Sequence, residues 1–204
     1  MLVIRSRRPA EWRLRAGRLE AQLAIVKASL AVVVLLTYAA AAWAQDLSWK
    51  DDRGNPTPNT ESRGAVDGFG GWLLVTSDLD WRAKWDTPAD TVPRFTEAKF
   101  VAKGKKAFVL IFFANPQLSN AGSADVTCDI DVVRPDSSSS LHQRNVTCFR
   151  GQVKGNPHNL YLSQPVIGFI GEPSDPAGKW LVRVTLKDNV RHARLPLKTS
   201  FTLQ

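Results

Sequence analysis

Two stretches of alternating apolar and polar residues, each carrying one of the chain's two cysteines, flank a serine-rich turn. From Val126 to Val132 the apolar residues recur at every second position, which is the pattern of a half-buried strand. Leu141 to Phe149 predicts a second strand, and residues 134–140 between the two are turn-forming. The sequence therefore predicts an antiparallel hairpin.

A hairpin centred on Ser138 places Cys128 directly opposite Cys148. Opposed residues on antiparallel strands lie about 4.5–5.5 Å apart, which suits a disulfide. The alternatives are two free buried thiols or two metal ligands, and the spacing lacks the close Cys or His pairs that metal sites use. We predict a disulfide, which is typical of an oxidising compartment.

The N-terminal part predicts a signal peptide over residues 1–44. Ala28 to Ala44 is uncharged and apolar, follows Lys27, and ends in a small-x-small sequence that suits cleavage before Gln45. An uncleaved membrane anchor is the alternative. Both interpretations place the later residues outside the cytosol, in the periplasm or secreted, with membrane contact only through the leader.

The leader is long ahead of its apolar core. We interpret Val26 as the true first residue and residues 1–25 as the result of a start codon assigned too far upstream. The alternative is a twin-arginine leader that uses Arg7 and Arg8. Without residues 1–44 the chain holds 20 basic and 17 acidic residues, so the net charge falls from +8 to +3. The basic character therefore belongs mainly to the leader and does not indicate a nucleic-acid partner.

The remaining chain predicts a lead-in and one domain. Residues 45–70 are charged and turn-rich, which favours a flexible lead-in before a domain at 71–204. Residues 107–114 predict a central strand that is apolar on both faces, and residues 95–101 predict an edge strand. About eight short strands separated by Gly, Pro, Asn and Asp turns predict an all-β antiparallel sandwich.

The clearest alternation lies near the C-terminus. Trp180, Val182, Val184 and Leu186 alternate with polar residues, Asp188 and Asn189 form a turn, and a last strand follows. Residues 176–188 with 195–203 resemble the closing hairpin of bacterial immunoglobulin-like domains. The chain after the leader also resembles exported bacterial proteins of unknown function. The resemblance implies an immunoglobulin-like fold and no functional residues.

No recognised catalytic, metal or cofactor pattern is present in the sequence. The three histidines lie in separate segments without ligand spacing, and the serine-rich turn has no nucleophile-elbow motif. We therefore predict no catalytic residues, no metal and no cofactor. Acids brought together from distant strands, as in glycoside hydrolases, remain an enzymatic alternative.

The aromatic residues provide the candidate binding surface. Trp81 and Trp85 share one face whether the segment is helical or extended, and Arg82 and Lys84 lie between them. Exposed tryptophans stack on sugar rings or anchor protein interfaces, whereas buried ones fill a core. We predict an exported, non-enzymatic module that binds a protein or envelope component through edge strands and loops, with carbohydrate binding through the two tryptophans as the alternative.

Overall fold

The computed structural model describes residues 49–50, 55–87 and 93–204, and the predicted leader lies outside these residues. The described chain contains one five-residue helix, α1 (Trp81–Trp85), and is otherwise built from strands. The strands are β1 (Trp49–Lys50), β2 (Pro56–Thr57), β3 (Arg63–Val66), β4 (Phe69–Thr76), β5 (Phe100–Val101), β6 (Lys106–Ala114), β7 (Ser123–Val133), β8 (Ser139–Gln152), β9 (Leu160–Leu162), β10 (Ile167–Ile170), β11 (Gly178–Asp188) and β12 (Ala193–Leu203).

The longer strands form two sheets that pack face to face. The first sheet has the order β10-β6-β4-β3, with β9 also paired to β6, and the second has the order β5-β12-β11-β7-β8. All pairs within them are antiparallel except β5 with β12, while β1 and β2 form a separate two-stranded ribbon. The predicted all-β, mostly antiparallel sandwich is confirmed, with twelve strands in the described residues where about eight were expected.

The central strand of the first sheet is buried on both faces, as predicted. On one face of β6, Val109, Ile111 and Phe113 join the core between the two sheets. On the other face, Leu110 and Phe112 join a second apolar cluster on the outer side of the same sheet. β6 is apolar at successive positions because each of its two faces packs into a different apolar cluster.

The predicted alternation of β11 is also confirmed, since Trp180, Val182, Val184 and Leu186 are each 1% exposed or less. The sheets approach closely where Leu186 of β11 faces Gly71 of β4. A Cβ atom at Gly71 would lie 2.5 Å from Leu186 Cδ1 and 2.9 Å from Leu195 Cδ2. Glycine at this position leaves the space that the two leucines fill.

The predicted disulfide joins Cys128 of β7 to Cys148 of β8, with both residues fully buried and 5.9 Å between the Cα atoms. The predicted register was wrong. Cys128 pairs with Val146, and Cys148 is an additional residue between two successive pairs of the ladder. This β-bulge turns Cys148 toward Cys128, and alternation alone does not reveal such an insertion.

The ordered sheet begins earlier than predicted. Residues 63–66 form β3 within the predicted lead-in, and β4 starts at Phe69 rather than at Gly71. The two strands are joined by Asp67 and Gly68, both with positive φ, which is the conformation of a tight two-residue hairpin turn. The Asp-Gly pair is thus a hairpin signal inside a segment that its overall composition assigns to a tether.

The predicted edge strand at 95–101 is shorter than expected. Within it, Phe100 and Val101 form β5, which pairs in parallel with the end of β12, and Glu97 makes an isolated bridge with Thr76. The segment therefore belongs partly to each sheet. Its backbone pairs are set by tertiary contacts, which local propensity does not encode.

Candidate functional site

The four residues of the predicted binding surface lie together on α1. Trp81 is 8% exposed, and its ring centre lies 5.8 Å from that of Phe108. Trp85 is half-buried, with its ring 5.3 Å from Phe112. Both tryptophans therefore pack onto the outer face of the first sheet, and the face of Trp81 is not free to stack on a sugar ring.

The two cations of this surface have different surroundings. The guanidinium of Arg82 lies 4.8 Å from the centre of the Trp81 ring, and the residue is exposed. Lys84 Nζ lies 2.8 Å from a carboxylate oxygen of Asp78, and this hydrogen bond raises the pKa of Lys84. Asp78 also accepts a hydrogen bond from the Thr96 backbone N–H. Lys84 thus takes part in holding α1 to a neighbouring segment, and ligand binding at α1 remains a prediction.

The outer face of the second sheet carries a network of charged groups. Asp129 lies 2.6 Å from Lys187 Nζ and accepts a hydrogen bond from the Asn145 backbone N–H. Burial by itself would raise the pKa of Asp129, but these hydrogen bonds outweigh it and lower the pKa below the ordinary value of 3.8. The carboxylate is therefore held ionised, which does not suit a general acid at neutral pH.

A second carboxylate on the same strand is held in the same way. Asp131 lies 2.7 Å from Nδ1 of His142 and accepts a hydrogen bond of 3.0 Å from Arg144. Burial would raise the pKa of Asp131, yet the hydrogen bonds from Arg144 and His142 lower it overall. The other two histidines, His158 and His192, are exposed and lie in other segments.

We expect Asp129→Asn to lower the free energy of unfolding by roughly 1 kcal/mol at pH 7, because the change removes the charge but retains an acceptor oxygen. Since folding lowers the pKa of Asp129, its stabilisation is complete above the unfolded-state value near 3.8 and is lost as the pH falls through the folded-state value. Urea unfolding from pH 7 to pH 2.5 should show the two proteins converging below about pH 3.8.

The matched control for this prediction is Lys187→Gln, which removes the partner charge instead. The two substitutions combined should cost less than the sum of their separate effects, because they remove one interaction. A difference between Asp129→Asn and the unchanged protein that stays constant down to pH 2.5 would contradict the assignment.

The sandwich has a long unpaired edge at β8. This strand ends the second sheet and pairs on one side with β7. Among the described residues, β8 makes one further backbone hydrogen bond apart from its pairing with β7. The Gln164 N–H donates this bond to the Cys148 carbonyl oxygen, at 2.8 Å. The ladder with β7 has three register shifts, and bulges of this kind are a common protection of edge strands against unwanted pairing.

The facing edge strand, β10, has no such bulges. It ends the first sheet and pairs with β6 without a register shift at all four of its residues. The strand is Ile-Gly-Phe-Ile, with no charged side chain, and Ile170 is 52% exposed. An edge that is regular and uncharged is the kind that accepts an additional strand.

An apolar cavity of about 210 Å³ opens between these two edges. We call its mouth the edge slot, formed by Ser140 and Leu141 of β8 and by residues 167–169 of β10. Three mouth side chains, those of Leu141, Ile167 and Phe169, are half-buried. The deeper lining comes from buried residues of four other strands: Val109, Val132, Val182 and Phe201. Ser140 supplies the polar side chain of the lining, so the site favours apolar groups.

The sequence did not reveal the edge slot. The alternation at residues 141–149 predicts β8, but the proximity of β8 to β10 depends on the order of strands in each sheet. The apolar segment Pro-Val-Ile-Gly-Phe-Ile at residues 165–170 was the available signal, since natural edge strands usually carry a charge.

The described residues contain no group of three or more His, Cys, Asp and Glu residues that could hold a metal ion. In the same ranges, no helix has the length and apolar character needed to cross a membrane.

Comparison with known proteins finds no matching family model and no matching curated protein. Among solved structures, similarity is found to a family 123 glycoside hydrolase from Clostridium perfringens, at a TM-score of 0.38 and 8% identity over 66% of this chain and 27% of that chain. An alkylpurine DNA glycosylase from Pseudomonas fluorescens has a TM-score of 0.34 and 10% identity, over 52% of this chain and 28% of that chain. A Niemann-Pick type C2 protein from Japanese carpenter ant has a TM-score of 0.36 and 9% identity, over 65% and 89%.

The chain spans less than a third of the first two of these structures. Similarities of this size assign no activity.

Proposed function

We propose that the protein is a non-enzymatic binding module that accepts an extended segment of a partner protein or envelope component in the edge slot. The observation that carries this proposal is an uncharged, regular edge strand, β10, next to an opening into the apolar interior. A partner strand added there gains main-chain hydrogen bonds with β10. Its side chains point alternately into the opening and away from it. Binding of this kind needs no catalytic group.

The general dimensions of β-structure support a single extended chain as the occupant. Neighbouring strands lie about 4.8 Å apart within a sheet, and packed sheets lie about 10 Å apart. A chain that pairs with the free edge of β10 therefore lies in the plane of the first sheet and directs every second side chain into the space between the sheets. The bulged β8 offers fewer regular positions, so β10 is the main pairing partner.

The strand order supports an immunoglobulin-like identity for the sandwich. We take β4, β6 and β10 as the first, second and fifth strands of that fold, and β7, β8, β11 and β12 as the opposite sheet. The parallel pairing of β5 with β12 fits an initial strand that crosses from one sheet to the other. The disulfide departs from the antibody pattern, because it links neighbouring strands of one sheet rather than the two sheets.

The cellular location proposed is the periplasm or the exterior. A disulfide between fully buried cysteines fits an oxidising compartment. The predicted leader at residues 1–44 supports the same location. An envelope partner is then the natural class of target.

We expect selection of displayed random 12-residue peptides on the protein to enrich segments with alternating apolar residues. Bound peptides should slow amide hydrogen exchange at alternate residues of β10, because the N–H groups on its free side become paired while the others already face β6. Ile170→Lys should weaken binding about tenfold, since a lysine on an edge strand opposes strand addition.

The matched control is Leu79→Lys, which also replaces an exposed aliphatic residue by lysine, on a turn outside the edge slot. It should change peptide affinity less than about twofold. Failure to enrich any peptide, or protection that appears at α1 instead of β10, would contradict the proposed function.

A further inference from the structure

The cavity of about 210 Å³ opens at the edge slot and includes it. Core packing normally leaves few voids larger than a water molecule. An apolar cavity of about 150 Å³ is known to stay dry and to bind benzene, and the cavity here measures about 210 Å³. It therefore has room for one phenyl ring or a group of similar size.

The chemistry of the lining restricts the occupant. Among the described residues, no charged side chain lines the cavity, and the single hydroxyl, on Ser140, lies at an exposed residue of the mouth. A sugar, nucleotide or ion would lose its hydration here without gaining hydrogen bonds in return. The group that enters must be apolar.

We propose that the cavity receives one large apolar side chain, of the size of phenylalanine, from the partner segment bound in the edge slot. This inference rests on the proposed function. A strand beside β10 directs every second side chain toward the space between the sheets, where Ile167 and Phe169 already point. The anchor residue is therefore flanked at both neighbouring positions by residues that face solvent.

Backbone access favours a peptide over a lipid chain as the source of the apolar group. Within the described residues β10 is the last strand of its sheet and pairs on one side, with β6, so the backbone groups along its other side are open to an added strand. A peptide pairs with those backbone groups while its side chain fills the cavity, whereas an alkyl chain leaves them to water. The occupant is accordingly an extended peptide with an aromatic or large aliphatic anchor.

The test is a double-mutant cycle in which the affinities of two peptides are measured for the unchanged protein and for a variant. The probe is a nine-residue peptide of alternating threonine and valine with a central phenylalanine at a valine position, and its partner has alanine there. With the unchanged protein, the phenylalanine peptide should bind roughly 10- to 150-fold more tightly than the alanine peptide. Leu141→Trp fills the cavity from its half-buried mouth and should reduce that ratio to below about threefold.

A second filling variant, Ile167→Phe, protects the test from a folding failure of the first, and circular dichroism confirms that each variant is folded. An equal phenylalanine-to-alanine ratio in filled and unfilled proteins would overturn the inference, as would a probe that fails to bind while displayed peptides still protect β10. Loss of all peptide binding overturns the proposed function as well. Tight binding of dansyl-undecanoate that Leu141→Trp abolishes, without any preference between the peptides, would assign the cavity to a lipid chain instead.

Discussion

Replacing Phe112 by alanine should lower the free energy of unfolding by about 3–5 kcal/mol. The side chain is fully buried, and its ring lies 5.1 Å from that of Trp72 and 5.3 Å from that of Trp85. The change removes apolar area and also leaves a cavity that neighbouring rings cannot fill completely. Urea unfolding, followed by tryptophan fluorescence, measures the loss, and the folded-state emission should shift to longer wavelength as Trp72 and Trp85 become hydrated.

The matched control is Phe100→Ala, which removes the same side chain from a position that is 64% exposed. It should change stability by less than about 0.5 kcal/mol. If Phe112→Ala leaves too little folded protein, Phe112→Leu provides a smaller loss at the same position. A loss below about 1 kcal/mol for Phe112→Ala would show that the second cluster on the outer face of the first sheet is not packed as described.

Removing the disulfide should cost about 3 kcal/mol of stability. Cys128 and Cys148 are separated by 20 residues, and closing a loop of this length restricts the unfolded chain. Because folded domains are stable by about 5–15 kcal/mol, this loss is a large fraction of the total. The double substitution Cys128→Ala with Cys148→Ala, compared with the unchanged protein by urea unfolding, measures it.

Reduction of the unchanged protein is the control for the disulfide, because it breaks the covalent bond but keeps both sulfur atoms in the core. The reduced protein should unfold at nearly the same urea concentration as the double variant, apart from the small loss of the two thiols. Equal midpoints for the oxidised and reduced proteins would show that the bond does not contribute to stability. Alkylation of both thiols before any reductant is added would show that the bond is absent from the isolated protein.

Phe112 and the disulfide both lie on strands that line the cavity at the edge slot. β6 contributes Phe112 to the outer cluster and Val109 to the lining of the cavity, and it pairs with β10 along its first half. The disulfide connects β7, which contributes Val132 to the lining, with β8, which contributes Leu141. Phe112→Ala and loss of the disulfide should therefore also weaken peptide binding, while Ile170→Lys, at an exposed position of β10, should leave stability almost unchanged.

The sequence by itself determined the elements whose side-chain pattern is local. The alternation of β7 and β11, the apolar run of β6 and the pairing of the two cysteines all follow from residues close together in the chain or from a single hairpin. In these strands the two-residue period of the sequence predicts correctly which side chains are buried.

Tertiary structure alone decided the features that depend on contacts between distant residues. The bulge at Cys148 shifted the hairpin register, and packing against Phe108 and Phe112 buried the tryptophans of α1. The edge slot belongs to the same class, because β8 and β10 become neighbours only through the order of strands in two sheets. A local pattern specifies which face of a strand is apolar, but which other strand covers that face is set by the free energy of the whole packed chain.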